Sequence, residues 1–297
     1  MEHRSGFVTI AGAPNVGKST FLNRVLGEKI AITSQKPQTT RNRVTGILTR
    51  PEVQLVFVDT PGIHAARSRL NRNLVQIALQ AIAETDAVLL MTDTYREARA
   101  QIEPATQALA RQPKPVVLAI NKIDLIPKPE LLPLIDHYQR LMEFSAIVPI
   151  SALNGQGVEE VVSELARLLP AGPALFPEDM ITDQPERFLA AEFIREKVFN
   201  LTEKEVPYAT AVEIEDWQEE EGLLRIYATI YAERDAQKAI LIGAGGQMLK
   251  RIGTEARRDL EALLGTHIFL QLWVRVRKGW RESPRALQEL GLEPTKR

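Results

Sequence analysis

Short apolar runs alternate with amphipathic stretches through the first half of the chain. Residues 7–11, 53–58, 87–91, 116–120 and 147–150 are almost continuously apolar, and residues 18–26, 71–84 and 157–168 between them read as helices. Strands without a polar alternation are buried on both faces. Strands that alternate with helices in this way predict a parallel sheet with flanking helices. Ligands of such sheets bind beyond the carboxyl ends of the strands.

The pattern changes after Pro170-Ala171-Gly172-Pro173 and Phe176-Pro177, which cannot continue the preceding helix. The predicted units are residues 1–170, a connecting segment over 171–182, and residues 183–297. The second unit reads as helix 186–200, strands 209–216 and 223–232, helices 236–242 and 247–264, and strand 267–277. Along residues 223–232, Leu224, Ile226, Ala228 and Ile230 alternate with Arg225, Tyr227, Thr229 and Tyr231. Along the last strand, Leu270, Leu272, Val274 and Val276 alternate with Gln271, Trp273, Arg275 and Arg277. One face of this sheet is core. The other, rich in arginine and aromatic rings, can dock the first unit, meet nucleic acid or face water.

Composition narrows the class. The 297 residues suffice for two cores, and a net charge of −1 points to no partner. The chain has no cysteine, which excludes disulfides and thiolate metal sites. No run approaches the roughly 20 apolar residues of a membrane span, and the start of the chain lacks a signal-peptide apolar region. A soluble cytoplasmic protein, monomeric, is the expectation. Charge is uneven, however. Residues 183–246 hold 7 Lys/Arg against 14 Asp/Glu, and residues 247–297 hold 11 against 6. The last fifth of the chain is a basic surface beside an acidic one.

Three ordered runs carry the chemistry. Gly12-Ala13-Pro14-Asn15-Val16-Gly17-Lys18-Ser19 fits the phosphate-loop pattern Gly-x4-Gly-Lys-Ser. Its glycines let backbone N–H groups turn inward around the β-phosphate, and the next helix offers its positive N-terminus. Gly12, Asn15, Val16, Gly17, Lys18, Ser19 and Thr20 make the phosphate-contacting set, with Lys18 reaching the β- and γ-phosphates and Ser19 ligating Mg²⁺. Asp59-Thr60-Pro61-Gly62 ends an apolar strand. Asp59 is placed to hold Mg²⁺, and the Gly62 N–H to sense the γ-phosphate. Asn121-Lys122-Ile123-Asp124 discriminates the base. The Asp124 carboxylate can accept from guanine N1–H and the 2-amino group, a donor pair that adenine lacks. Lys122 can lay its stem over the base, Asn121 can tie the base loop to the phosphate loop, and Ser151-Ala152 can offer an N–H to guanine O6. The set predicts a GTP-hydrolysing switch with GTP/GDP and Mg²⁺ as ligands, and an α/β P-loop GTPase domain with a Ras-like parallel sheet.

Gln35-Lys36-Pro37-Gln38-Thr39-Thr40-Arg41 is polar and interrupted by proline, a natural mobile segment. It is the place for a threonine that caps Mg²⁺ when the γ-phosphate is present. Thr40 is the choice and Thr39 the fallback, so Lys18, Thr40 and Gly62 form the predicted catalytic set. Ras-type switches orient the attacking water with a glutamine after Asp-x-x-Gly. Here Ile63 stands there, which predicts slow turnover or another means of activation. Asn15 either shapes the loop or helps hold a monovalent cation such as K⁺ near the phosphates.

In the second unit, Gly243-Ala244-Gly245-Gly246 lies between two short helices. A bare Gly-x-x-Gly marks many helix corners. In an α-β-β-α-α-β order it marks an α+β type II KH domain, whose glycine loop clamps nucleic-acid backbone. Gly243, Ala244, Gly245 and Gly246, with Lys250, Arg251, Arg257 and Arg258, are the candidate RNA-binding residues. Ile242, Met248, Leu249 and Ile252 can floor the groove or belong to the core.

A switch of this type followed by a KH domain resembles the Era family of bacterial ribosome-assembly GTPases over essentially the whole chain. The resemblance rests on residues 12–20, Pro37-Gln38-Thr39-Thr40-Arg41, residues 59–62 and 121–124, residues 187–197, the glycine loop and residues 272–280. It implies binding to 16S rRNA near its 3′ end through a single-stranded stretch, and a role in late assembly of the small ribosomal subunit. It further implies that GTP favours the RNA-binding domain arrangement, that RNA stimulates hydrolysis, and that some members contact the inner membrane peripherally. Where the family often has lysine in the glycine loop, this chain has Ala244-Gly245, so one phosphate contact falls to Lys250 or Arg251. A GTPase whose C-terminal domain docks a protein or membrane surface is the competing reading. A metabolic phosphotransferase is disfavoured by the guanine-reading run.

Overall fold

A computed structural model describes residues 2–63, 68–95 and 101–294. In the first unit the elements are β1 (Arg4–Gly12), α1 (Lys18–Leu26), β2 (Val44–Arg50), β3 (Val53–Asp59), α2 (Arg69–Glu84), β4 (Ala87–Asp93), α3 (Glu103–Leu109), β5 (Val116–Asn121), α4 (Leu131–Gln139), β6 (Ala146–Pro149) and α5 (Val158–Leu168). They form a 6-stranded sheet in the order β2-β3-β1-β4-β5-β6. Every pairing is parallel except β2 with β3. The residues of β3 and β4 are buried throughout, as their unbroken apolar runs require. One sheet face packs on α1 and α5 through Phe21, Leu22, Val161 and Leu165. The other packs on α2, α3 and α4 through Ala78, Ile82, Leu109 and Tyr138.

The expected strands and helices are present, with ends shifted by a few residues. The apolar pattern did not reveal β2, α3 or α4. β2 is the antiparallel edge of the sheet and mixes Thr45, Gly46, Thr49 and Arg50 with its apolar residues. Gly46 packs closely, since a Cβ there would meet the Leu22 and Leu26 side-chain ends at 2.6 Å and 2.7 Å and force them to shift.

Residues 170–182 are docked along the first unit. Ser5 N donates to Pro170 O (3.2 Å), and the fully buried Gln54 accepts from Leu175 N (2.6 Å) and Phe176 N (2.9 Å). Ile47 N donates to Ile181 O (2.8 Å), so the segment covers the open edge of β2.

The second unit comprises α6 (Glu186–Leu201), β7 (Ala211–Glu220), β8 (Leu223–Ala232), α7 (Asp235–Ile242), α8 (Gln247–Leu264), β9 (His267–Val276) and α9 (Pro284–Glu289). This is the expected α-β-β-α-α-β order with a short helix added. A 3₁₀ turn over Pro207–Ala209 delays the first strand, which begins at Ala211. β7 and β8 are antiparallel, and β8 and β9 parallel. Their inner face packs on α6, α7 and α8 through Ile194, Ile230, Leu241 and Ile252. On the outer face Tyr227 stacks on Trp273, with ring centroids 6.0 Å apart, and Phe269 and Trp273 remain 40% and 37% exposed.

The two units share a core. Ile32 packs with Ala190 and Phe193, and Leu70 and Leu74 pack with Trp280, Leu287 and Leu292. Trp280 is fully buried and donates Nε1–H to Ala209 O at 3.1 Å. No helix among the described residues is long and apolar enough to cross a membrane. Trp280→Ala is expected to cost about 3–5 kcal/mol of stability, measured by urea unfolding of the whole chain.

Candidate functional site

The loop between β1 and α1 is set by backbone geometry. Gly17 caps α1 at φ 100° without a side-chain acceptor, so the first N–H groups of the helix stay available to an anion. A Cβ at Gly17 would lie 2.2 Å from Asn121 Nδ2. Gly62 approaches the loop as closely, since a Cβ there would lie 2.6 Å from Pro14 N. Lys18 is buried, its Nζ donating to Ala13 O (2.9 Å) and Gly12 O (3.4 Å). Burial pulls its pKa down to about 8, against the opposing pull of Asp59. An ammonium so desolvated gains strongly from a phosphate placed against it.

Asp59 ends β3 fully buried. Its Oδ2 accepts from Ser19 Oγ (2.6 Å), and Ser19 Oγ lies 3.1 Å from Thr40 Oγ1. Asp59 Oδ1 is buried with no hydrogen-bond partner. Burial raises the Asp59 pKa, opposed by Lys18, Ser19, Thr60 and Thr40. A buried carboxyl group with an orphan oxygen beside two hydroxyls is a donor set that suits a hard divalent cation such as Mg²⁺. Thr39 is turned away, its Oγ1 donating to Lys36 O at 2.9 Å. The geometry therefore brings Thr40, not the fallback, beside Ser19 and Asp59. Ile63 is buried and its N donates to Gly12 O (3.1 Å), so it braces the phosphate loop. Asn15, at φ 64°, donates Nδ2–H to Gln35 O at 2.7 Å.

The base loop is held by Asn121. Its Nδ2 donates to Val16 O (2.8 Å) and its Oδ1 accepts from Ala152 N (2.9 Å). Ser151 N donates to Gln156 O (2.9 Å). The amides of Ser151 and Ala152, where an N–H for guanine O6 was expected, are thus engaged internally, that of Ala152 on Asn121 and that of Ser151 on Gln156. Leu153 is the residue of that turn that lines the cleft. Lys122 pairs with Asp93 (2.7 Å) and lies 4.9 Å over the Tyr95 ring. Asp124 is exposed and lines the same cleft of about 1520 Å³ as Gly17, Lys18, Ser19, Thr40 and Gly62. Asp93 and Tyr95 were not anticipated. Their signal was position, at the end of the strand beside β1.

Residues 7–122 match the family model of 50S ribosome-binding GTPases, and residues 205–281 match the KH domain model. GTPase Era of Geobacter metallireducens is 56% identical over 97% of this chain and 97% of its own length. GTPase Era of Geotalea uraniireducens is 53% identical over 98% and 99%. The chain belongs to the Era family of GTPases. It is a GTP-hydrolysing enzyme with a P-loop GTPase domain followed by a KH domain. The crystal structure of an Aquifex aeolicus Era variant bound to GDP and AlF4⁻ superposes with a TM-score of 0.93, at 42% identity over 98% of this chain and 100% of that one. A structure of Era with MgGDPNP and nucleotides 1506–1542 of 16S ribosomal RNA superposes with a TM-score of 0.94, at 43% identity over 98% and 100%.

In the KH domain the glycine loop is open at Gly245 and Gly246. Gly245 and Gly246 have φ of 55° and 78°, and a Cβ on either would meet nothing within 4 Å. Lys250, Arg251, Arg257 and Arg258 are exposed. Lys250, Arg251 and Arg258 line one depression with Lys197, which Arg257 does not join. Ile252 is core, while Ile242, Met248 and Leu249 are half-buried against it. Much of the basic C-terminal charge is spent on ion pairs within the domain, Arg275 with Glu215, Arg277 with Glu289 and Arg281 with Glu233.

Asn121→Ala leaves the buried Val16 O and Ala152 N without partners. The expected loss is about 2–4 kcal/mol, together with weakened GDP binding, read by urea unfolding and nucleotide titration.

Proposed function

We propose that this Era-family GTPase is a nucleotide-controlled RNA-binding factor. It binds 16S rRNA near its 3′ end and assists maturation of the small ribosomal subunit. The observation that carries the reading is the open glycine loop at the start of α8, in a chain of the same overall fold as an Era bound to nucleotides 1506–1542 of 16S rRNA. We assign the GTPase function to residues 1–170 and the RNA function to 183–297, joined by 171–182. Gly12, Asn15, Val16, Gly17, Lys18, Ser19 and Thr20 hold the phosphates, and Gly62 reports the γ-phosphate. Ser19, Thr40 and Asp59 hold Mg²⁺, which supplies charge neutralisation at the β- and γ-oxygens when bound. Asp124 reads guanine, Lys122 covers it, and Asn121 with Ser151 and Ala152 fixes their loop. Gly243, Ala244, Gly245 and Gly246 admit the RNA backbone, and Lys250, Arg251, Arg257 and Arg258 meet its phosphates.

The test is binding of a labelled single-stranded oligonucleotide from the 3′ end of 16S rRNA, with a non-hydrolysable GTP analogue or GDP, across a salt series. Sequence-dependent binding that strengthens with the GTP analogue is expected. Gly246→Asp should weaken it while sparing GTP binding, since aspartate tolerates positive φ but repels phosphate. Binding that depends on salt alone would refute the RNA reading and leave the GTPase standing.

Turnover without a water-orienting glutamine is expected on the order of 10⁻⁴ to 10⁻² s⁻¹. Asn15 Nδ2 donates to Gln35 O, and its Oδ1 makes no hydrogen bond among the described residues. That leaves an oxygen for a monovalent cation beside the phosphates. Replacing Na⁺ by K⁺ should then raise the hydrolysis rate; equal rates leave Asn15 the loop-shaping role alone.

A further inference from the structure

The segment between α1 and β2 carries Thr40, yet many of its bonds cross to the KH domain. Thr33 N donates to Glu196 Oε1 (2.9 Å), and Lys29 pairs with Glu196 (2.6 Å) and Asp259 (2.8 Å). Lys36 Nζ donates to the carbonyls of Phe199 and Thr202, where the negative end of α6 favours a cation. Within the GTPase domain, Asn15 holds Gln35 O and Asn23 holds residues 30 and 31.

The residues on either side of Thr40 are the most firmly held. Arg41 is 3% exposed, and its guanidinium donates to the carbonyls of Pro207, Tyr208 and Thr210. It lies 5.7 Å from both the Phe199 and the Trp280 rings. Arg195 is equally buried and makes a two-pronged pair with Glu192. Its Nη2 also donates to Thr39 O. Consecutive Cα atoms lie about 3.8 Å apart. A threonine pinned through both neighbours therefore has little room to carry its hydroxyl away from Ser19.

We propose that the KH domain is a positioning element for GTP hydrolysis. Arg195, through Thr39 O, and the socket that receives Arg41 hold Thr40 at the Mg²⁺ site. The inference rests on the reading of Thr40 as an Mg²⁺ ligand. Order supplied by the KH domain need not be supplied by the γ-phosphate, so undocking that domain slows hydrolysis without touching the phosphate loop. By linkage, the factor by which docking strengthens binding of Mg²⁺ and γ-phosphate is the factor by which those ligands favour docking.

The test compares Arg195→Lys, Thr40→Val and the double variant in the full chain. Lysine keeps a charge for Glu192 but loses the fork that also reaches Thr39. Single-turnover GTP hydrolysis, its Mg²⁺ dependence, GDP affinity and melting temperature are measured for each. Arg195→Lys is expected to slow hydrolysis about 10-fold, as for loss of a charge-assisted hydrogen bond, and to raise the Mg²⁺ concentration required. GDP affinity should be unchanged, because Thr40 does not cap the metal once the γ-phosphate is gone. The double variant should be no slower than Thr40→Val alone. A wild-type rate for Arg195→Lys beside an impaired Thr40→Val overturns the proposal, as does a double variant that loses the product of the two effects. A wild-type rate for Thr40→Val removes the Thr40 reading and the proposal with it. Should Arg195→Lys melt early, Glu192→Leu/Arg195→Met replaces the buried pair with apolar volume, and the same 10-fold loss and unchanged GDP affinity are expected.

Discussion

One stretch of chain, from Lys29 to Arg41, is held from two sides. At one side Thr40 Oγ1 lies 3.1 Å from Ser19 Oγ, beside the orphan oxygen of Asp59. At the other, Arg41 and Thr39 O are buried against α6 and the turn that follows it. A peptide only this long cannot satisfy both sides in more than a few arrangements. The domain interface and the nucleotide site are thus parts of one mechanical unit. The buried charges of α6 meet this stretch directly, through Glu196 with Lys29 and Thr33 N and Arg195 with Thr39 O.

The nucleotide site itself is built from backbone. Lys18 gives its protons to Ala13 O and Gly12 O, Asn121 spans Val16 O and Ala152 N, and Gly17 and Gly62 leave no room for a Cβ. These contacts fix N–H groups before any phosphate arrives, which is the condition for electrostatic preorganisation. Asp59, whose pKa burial raises despite the opposing pull of Lys18, gains from a divalent cation placed against it.

The KH domain presents its charge differently from what its counts suggest. Its basic last segment folds back on its acidic first segment, so Glu215 and Glu233 neutralise Arg275 and Arg281. Lys250, Arg257 and Arg258 make no ion pair among the described residues and lie on α8, just beyond the open glycine loop. Cationic surface is thereby concentrated near the loop that backbone can approach.

What the sequence by itself determined is the chemistry of contiguous residues. Phosphates, Mg²⁺ and guanine each demand fixed residue types at fixed spacing, so Gly12 to Ser19, Asp59 to Gly62 and Asn121 to Asp124 were legible. So were the long apolar strands and the α-β-β-α-α-β order. An edge strand as mixed as β2 was not, because its partner and its cover, β3 and residues 170–182, supply what its own pattern lacks. Nor were the charges of α6. No pattern in the sequence marked Glu192, Arg195, Glu196 and Lys197 as buried, yet all four are, with Lys29 and Thr33 of the other domain bonded to Glu196 and Thr39 O to Arg195. Only the tertiary structure decided that Ala152 N holds Asn121, and that Thr40 rather than Thr39 faces Ser19. Arg195 meets the carbonyl of Thr39 across 156 residues of chain. No local pattern records such a pair, because the free energy that joins it comes from burying the surfaces around both residues, not from the residues between them.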